Sequence, residues 1–219
     1  MSDPLHLGPA LAFDLHESTA PPTGDWQDLT ARLSTAALRR RVDQVRDALT
    51  IDGRTRPDAR TAASTEQFGL VARLVAAHLC ATALGHPVDL HESAIHWRLD
   101  GAGWLQLSFA LTGEAAKPLR DSAITVLTRR IEQLYGVSAH VLWGNVGSAA
   151  NSTITLLRAA RPDLVEAARA AADELLADPL IDRGQLRAGP GFCRASCCLV
   201  YRATGSLCGD CVLHARDSR

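Results

Sequence analysis

Five of the six cysteines in this chain fall within its last twenty-seven residues, as Cys193, Cys197, Cys198, Cys208 and Cys211. Thiolates crowded into so short a stretch can hold a zinc ion or an iron–sulfur cluster, because both need soft sulfur ligands within a few ångströms of one another. The pair Cys208-Gly209-Asp210-Cys211 has the two-residue turn that lets both sulfurs face one metal, whereas Cys197-Cys198 is an adjacent pair separated from it by nine residues. Cys193, four positions before Cys197, is a spare that could replace one member of the set. Neighbouring cysteines do not readily bridge each other and the chain shows no export signal, so a disulfide framework is set aside. Cys80 stands alone inside an apolar helical pattern and reads as a buried core thiol.

The run Ser196-Cys197-Cys198-Leu199-Val200-Tyr201-Arg202, followed by Thr204-Gly205 and Cys208-Gly209-Asp210-Cys211, resembles the carboxy-terminal cluster motif of the FhuF-like ferric-siderophore reductases. Upstream, Trp143-Gly144-Asn145-Val146, followed by Gly147, Ser148, Ala149 and Ala150, is similar to a W-G-N-rich helix start of the same family. The rest of the chain agrees with the family only in length and order of elements. In that family two adjacent cysteines, ten residues and a C-x2-C pair bind a [2Fe-2S] cluster. The resemblance therefore implies Cys197, Cys198, Cys208 and Cys211 as the cluster ligands, with Cys193 in reserve because the loop here is one residue shorter. A turn absorbs such a deletion, since closure entropy hardly changes with one residue.

The same resemblance implies a function. Iron(III) is a hard cation held by oxygen ligands, and adding one electron weakens those bonds, so reduction is a release step. The expected protein is a cytoplasmic ferric-siderophore reductase acting on hydroxamate chelates, with a ferredoxin-type electron donor, and it delivers iron(II) for cellular assimilation. Arg202, Trp143 and Asn145 lie in the matched motifs and are its candidate contacts to cluster or substrate. Two rivals come from other classes: a zinc-stabilised binding or regulatory module, and an iron–sulfur sensor.

The whole chain bounds these readings. Its 219 residues suffice for one sizeable core, so folding need not depend on a metal. Apolar residues make up 47% and charged residues 21%, an ordinary globular balance that argues against disorder and coiled coil. A formal charge of −1 offers no basic excess for nucleic acid. No apolar run is long enough for a membrane span, and no phosphate-binding glycine loop supports a nicotinamide or flavin site. Locally the balance shifts: Arg187, Arg194, Arg202, Arg216 and Arg219 make the tail positive and could stabilise a reduced cluster, dock an acidic donor or hold a siderophore's oxygens.

The elements that must position the cysteines are mainly helical. Residues 1–22, rich in proline, read as a loosely packed arm with His6 and His16 as solvated histidines. Apolar residues at helical spacing from Trp26 to Leu49 predict an amphipathic helix or a broken pair, with Arg39-Arg40-Arg41 on a solvated face. A helix starting near Ser64, with Gln67 reaching back to complete its cap, is apolar nearly all round from Phe68 to Leu84 and marks the core; His78 on it reads as an interior histidine with a hydrogen bond. Ile95, Trp97 and Leu99, then Gly101-Ala102-Gly103, then Leu105, Leu107 and Phe109 form a hairpin, in which Trp97 and Trp104 read as packing residues. Further helices are expected from Pro118 to Leu134, from Trp143 to Arg158 and from Pro162 to Ala177. His214, three residues beyond Cys211, is either an exposed tail histidine or an alternative ligand. The fold class expected is α+β and mainly helical. An arm (1–22) leads into a helical body (23–185) with one small antiparallel sheet or hairpin at about 93–111, and a cluster-binding segment (186–219) closes the chain.

Overall fold

The structure, a computed structural model, describes residues 7–8, 10–50, 56–112, 119–181 and 193–214. His6, Pro118, Arg187, Arg216 and Arg219 lie outside the described residues. In chain order the elements are β1 (Asp14–His16), β2 (Gln27–Asp28), α1 (Leu29–Leu33), α2 (Thr35–Ala48), α3 (Ala59–Ala83), β3 (Ile95–Leu99), β4 (Leu105–Ala110), α4 (Ala123–Tyr135), α5 (Ala139–Ala160), α6 (Val165–Leu176) and α7 (Tyr201–Thr204). The mainly helical α+β class is the one the sequence implies.

The apolar helix α3 is the axis of the body and packs against α2, α4, α5 and α6. It begins at Ala59 rather than near Ser64, because the Asp58 carboxylate accepts the Thr61 N–H at 2.7 Å and supplies the cap a turn earlier. Ser64 and Gln67 are thereby fully buried inside the helix and free to bond elsewhere. The helix ends at Gly85, whose φ of 78° is open to glycine. His78 is buried as expected, but its Nδ1 has no hydrogen-bond partner among the described residues, and burial lowers its pKa from 6.5 to about 4.

The first helical pattern is a broken pair. Ser34 separates α1 from α2 and its hydroxyl accepts the Ala37 N–H at 3.3 Å. Arg32 from α1 and Arg41 from α2 both reach Glu66 on α3, each at 3.3 Å, so one member of the arginine run is an ion-pair partner rather than part of a solvated face. Arg32 also lies over the Trp97 ring, 5.1 Å from its centroid.

The hairpin β3–β4 forms in the register that pairs Ile95 with Phe109 and Leu99 with Leu105. A lone hairpin is marginal. Here β2 adds to β3 antiparallel and β1 adds to β4 parallel, giving a four-stranded mixed sheet of order β1-β4-β3-β2. The parallel edge is Asp14–His16, within the arm, whose described residues are held more firmly than a loose arm would be. Leu7, Leu11 and Phe13 join the core, and Arg73 of α3 donates to the carbonyls of Ala12 at 2.9 Å and Ala10 at 3.3 Å. His16 is not a solvated loop residue either: its Nδ1 shares a 2.8 Å hydrogen bond with the Ser108 hydroxyl, and its ring packs edge-on against His96. Trp104 departs from its expected packing role and is 73% exposed.

The helix α5 starts at Ala139, capped by Ser138, four residues before the expected start. Gly144 and Gly147 therefore sit inside the helix, where glycine costs about 1 kcal/mol relative to alanine and needs a packing reason. No described helix is long and apolar enough to cross a membrane.

Candidate metal centre

The described part of the cysteine segment, residues 193–214, lies along α3 and α5; side chains tie it to both helices, and one backbone bond closes it on itself. The Ser64 hydroxyl of α3 donates to the Cys198 carbonyl at 2.9 Å. The Ser148 hydroxyl of α5 donates to the Asp210 carboxylate at 2.5 Å, and the Arg194 N–H donates to the Asp210 carbonyl at 2.9 Å. The Arg194 guanidinium donates through Nη2 to Asn145 Oδ1 at 2.5 Å and to the Val141 carbonyl at 3.4 Å.

That last contact ends a ladder of buried side chains. Gln67 Nε2 donates to Thr128 Oγ1 at 3.2 Å and to the Leu142 carbonyl at 3.3 Å, which leaves Gln67 Oε1 to accept from Asn145 Nδ2 at 2.8 Å. With its amide nitrogen committed, Asn145 turns its oxygen to Arg194. The ladder thus links α4, α3, α5 and the cysteine segment, and its polarity follows from the chemistry of the two amides.

Gly144 explains why the segment can lie so close. A Cβ built on Gly144 would overlap the Ser196 hydroxyl and come within 3.3 Å of Arg194 Nη2. The glycine is a cradle for the segment.

Within the segment, local geometry gathers the sulfurs. Cys198 Sγ and Cys208 Sγ are 3.7 Å apart, close to the ~3.8 Å expected for two thiolates sharing one tetrahedral metal at about 2.3 Å. The Cys211 N–H donates to the Cys208 carbonyl at 3.0 Å, closing the C-x2-C turn. Leu199, at φ 70°, is the one non-glycine residue in the left-handed region among those described, a conformation that costs about 1 kcal/mol. It turns the Leu199 N–H onto Cys197 Sγ at 3.4 Å, the type of amide-to-sulfur bond that tunes cluster potentials. A turn of helix, α7, ends at Gly205 with φ 72° and carries the chain back to Cys208. The shortened loop is therefore a compact helical turn.

The electrostatics of the sulfurs suit a metal. Burial first, then the Cys198 sulfur and the Asp210 carboxylate, push the Cys208 thiol far up; burial also raises Cys197, opposed by the Leu199 N–H and by Arg194. Raised in this way, the Cys197 and Cys208 thiols would need the positive charge of a metal to become thiolates. Cys198 and Cys211 are buried, while Cys197 and Cys208 are half-buried, so the group has an inner and an outer edge. Among the described residues no three Cys, His, Asp or Glu side chains converge as a single metal ion requires. The sulfur pair at 3.7 Å has the spacing of two thiolates on one metal, in a zinc site as in a two-iron group.

The other candidates separate. Cys193 Sγ lies 3.7 Å from the Cys211 carbonyl oxygen and 3.8 Å from that of Arg194, so it points at backbone. His214 Nε2 donates to the Cys208 carbonyl at 3.0 Å. Arg202 is half-exposed on α7 and 3.9 Å from Asp58. Trp143 is buried in the apolar core, and its neighbours Gly144 and Asn145 make the contacts to the segment. Cys80 is fully buried in α3, with its thiol pushed up to about 12 by desolvation. Sequence reasoning gave Ser64 and Gln67 only a capping role and gave Ser148 and Asp210 none of their own; the available signal was a pair of polar residues three apart on an otherwise apolar helix. A cavity of about 740 Å³ lined by His16, Asp28, Asp89 and His96 belongs to the sheet and includes no residue of the segment.

No curated protein is similar enough to this chain to match it. A family model, the FhuF 2Fe-2S C-terminal domain, matches residues 194–213, a span that holds Cys197, Cys198, Cys208 and Cys211 and leaves out Cys193. Over this segment the chain is FhuF-like, and the cofactor that its cysteine cluster serves is a [2Fe-2S] cluster.

Proposed function

We propose that this protein is a ferric-siderophore reductase that passes single electrons to a chelated iron(III), with Cys197, Cys198, Cys208 and Cys211 as the cluster ligands. The observation that carries the proposal is the Cys198–Cys208 pair at metal-sharing distance inside a FhuF-like segment clamped to the helical body. When bound, a [2Fe-2S] cluster supplies one electron at low potential, about −400 mV where ligation is all-thiolate as in plant-type ferredoxins.

The chain's own residues supply the rest. Cys198 and Cys211 are buried and keep water from the inner edge. Cys197 and Cys208 lie on the outer edge, where an electron enters and leaves. Arg202, in electrostatic reach of Cys197, presents a guanidinium there, suited to the oxygens of a hydroxamate chelate. An acidic ferredoxin-type donor is the partner we assign to this edge, with exposed Arg202 as its candidate contact. The substrate iron gains one electron and no atom, and iron(II) leaves because oxygen ligands hold it more weakly.

Anaerobically reduced protein, freed of excess reductant and mixed with a ferric hydroxamate chelate, is expected to re-oxidise while an iron(II)-specific chelator develops colour one-for-one with electrons lost. Isolated protein containing stoichiometric zinc and no acid-labile sulfide would overturn the proposal in favour of a zinc module. Reduced protein that leaves the chelate unchanged would favour a sensor.

A further inference from the structure

Arg194 poses a charge problem that the hydrogen-bond ladder does not solve. Its side chain is 2% exposed, and its described partners, the Asn145 amide and the Val141 carbonyl, are both neutral. Nε and Nη1 are buried and have no hydrogen-bond partner among the described residues. Within the described cysteine segment the one carboxylate, Asp210, is occupied by the Ser148 hydroxyl and by Cys208. A guanidinium without a counter-charge is among the costliest groups to bury, and proteins keep one only where something negative faces it.

The cysteines are the groups within its electrostatic reach. Arg194 lies three residues before Cys197 and acts on it electrostatically. Four thiolates around two iron(III) and two sulfides carry a net charge of −2, and an added electron makes it −3. We infer that Arg194 is the built-in counter-charge of this site: a guanidinium locked by Asn145 that favours the reduced state and raises the reduction potential. Asn145 and Gly144 are then positioning residues, one aiming the guanidinium and the other making room for it. Arg202, exposed and 3.9 Å from Asp58, is screened by solvent and unsuited to the role.

The electron arrives from a low-potential one-electron donor, no proton moves, and the guanidinium keeps its charge throughout because arginine is not deprotonated in proteins. The inference rests on the cluster of the reading above and not on its substrate, so it stands or falls separately from siderophore reduction.

The test is a mediated redox titration of the full-length, cluster-loaded protein, followed by visible absorption and paramagnetic resonance. Arg194→Gln is expected to lower the midpoint by at least 59 mV, the equivalent of a tenfold change in a one-electron equilibrium, with unchanged iron and sulfide content. Arg194→Lys, which keeps the charge, should recover most of that shift. A fully loaded Arg194→Gln protein with the wild-type midpoint overturns the inference. If the glutamine variant does not hold a cluster, the lysine variant decides: retention of the cluster supports a charge requirement, and equal loss overturns it. Wild-type protein without a cluster would instead sink the functional reading itself.

Discussion

Gly144 of α5 sits directly beneath the Ser196 hydroxyl, so closely that even a methyl group would collide with it. A glycine in the middle of a helix is ordinarily a loss, and replacing it with alanine is ordinarily a gain of about 1 kcal/mol. Here the two effects oppose each other. Gly144→Ala should leave the helical body folded, with an unfolding midpoint equal to or above wild type for the metal-free protein, while the cysteine segment is lifted from α5 and iron and sulfide content falls severalfold. Circular dichroism and metal analysis of the same sample check both halves. Unchanged cluster content would show that the segment does not need this contact.

The cysteines should divide sharply. Cys208→Ser removes one member of the 3.7 Å sulfur pair and should abolish the visible charge-transfer bands, whereas Cys193→Ser, whose thiol faces carbonyl oxygens, should leave the spectrum intact. The reverse pattern in visible and paramagnetic-resonance spectra would put Cys193 in the ligand set instead.

Glu66 holds two arginines from two different helices, and both Glu66 and Arg32 are buried. Glu66→Gln leaves the Arg32 guanidinium buried without its carboxylate, and removing one partner of a buried pair typically costs about 3–5 kcal/mol. Urea unfolding should show a loss at the lower end of that range, because Trp97 still covers the guanidinium. A change under 1 kcal/mol would mean that the pair is solvated.

Acid should weaken the fold through His78. Its folded pKa of about 4 lies below the ordinary 6.5, so between those values the unfolded chain binds the proton and the folded chain refuses it. The stabilising contribution is fully present above pH 6.5, is lost progressively as pH falls toward 4, and amounts to about 3 kcal/mol at the linkage value of one pKa unit. His78→Leu should flatten this part of the pH profile. Comparing wild type and variant by urea unfolding at pH 7 and pH 4.5 cancels the acid sensitivity of the cysteines, which both proteins share.

The Cys208–Cys211 turn, the hairpin and the apolar α3 were legible in the sequence, because each depends on spacing along the chain: a two-residue turn, alternation at period two, an apolar run too long for one face. Helix starts were less legible. Ser64-x-x-Gln67 has the composition of a cap, yet Asp58 took that place, and the competition was decided by which oxygen first met the free N–H groups. The Trp143-Gly144-Asn145 motif was legible as a site but not in its roles, since the core claims the tryptophan while the glycine and asparagine meet the cysteine segment.

Sequence alone determined that sulfur ligands would come from the tail and that a helical body would carry them, for both follow from residue type and interval. Only the tertiary structure decided which arginine is sealed beside the sulfurs, and that the chain's first strand completes the sheet. Burial of a charge and pairing of distant strands depend on residues far apart in sequence. Arg194 and Asn145 are 49 positions apart, and no local pattern can announce such a meeting.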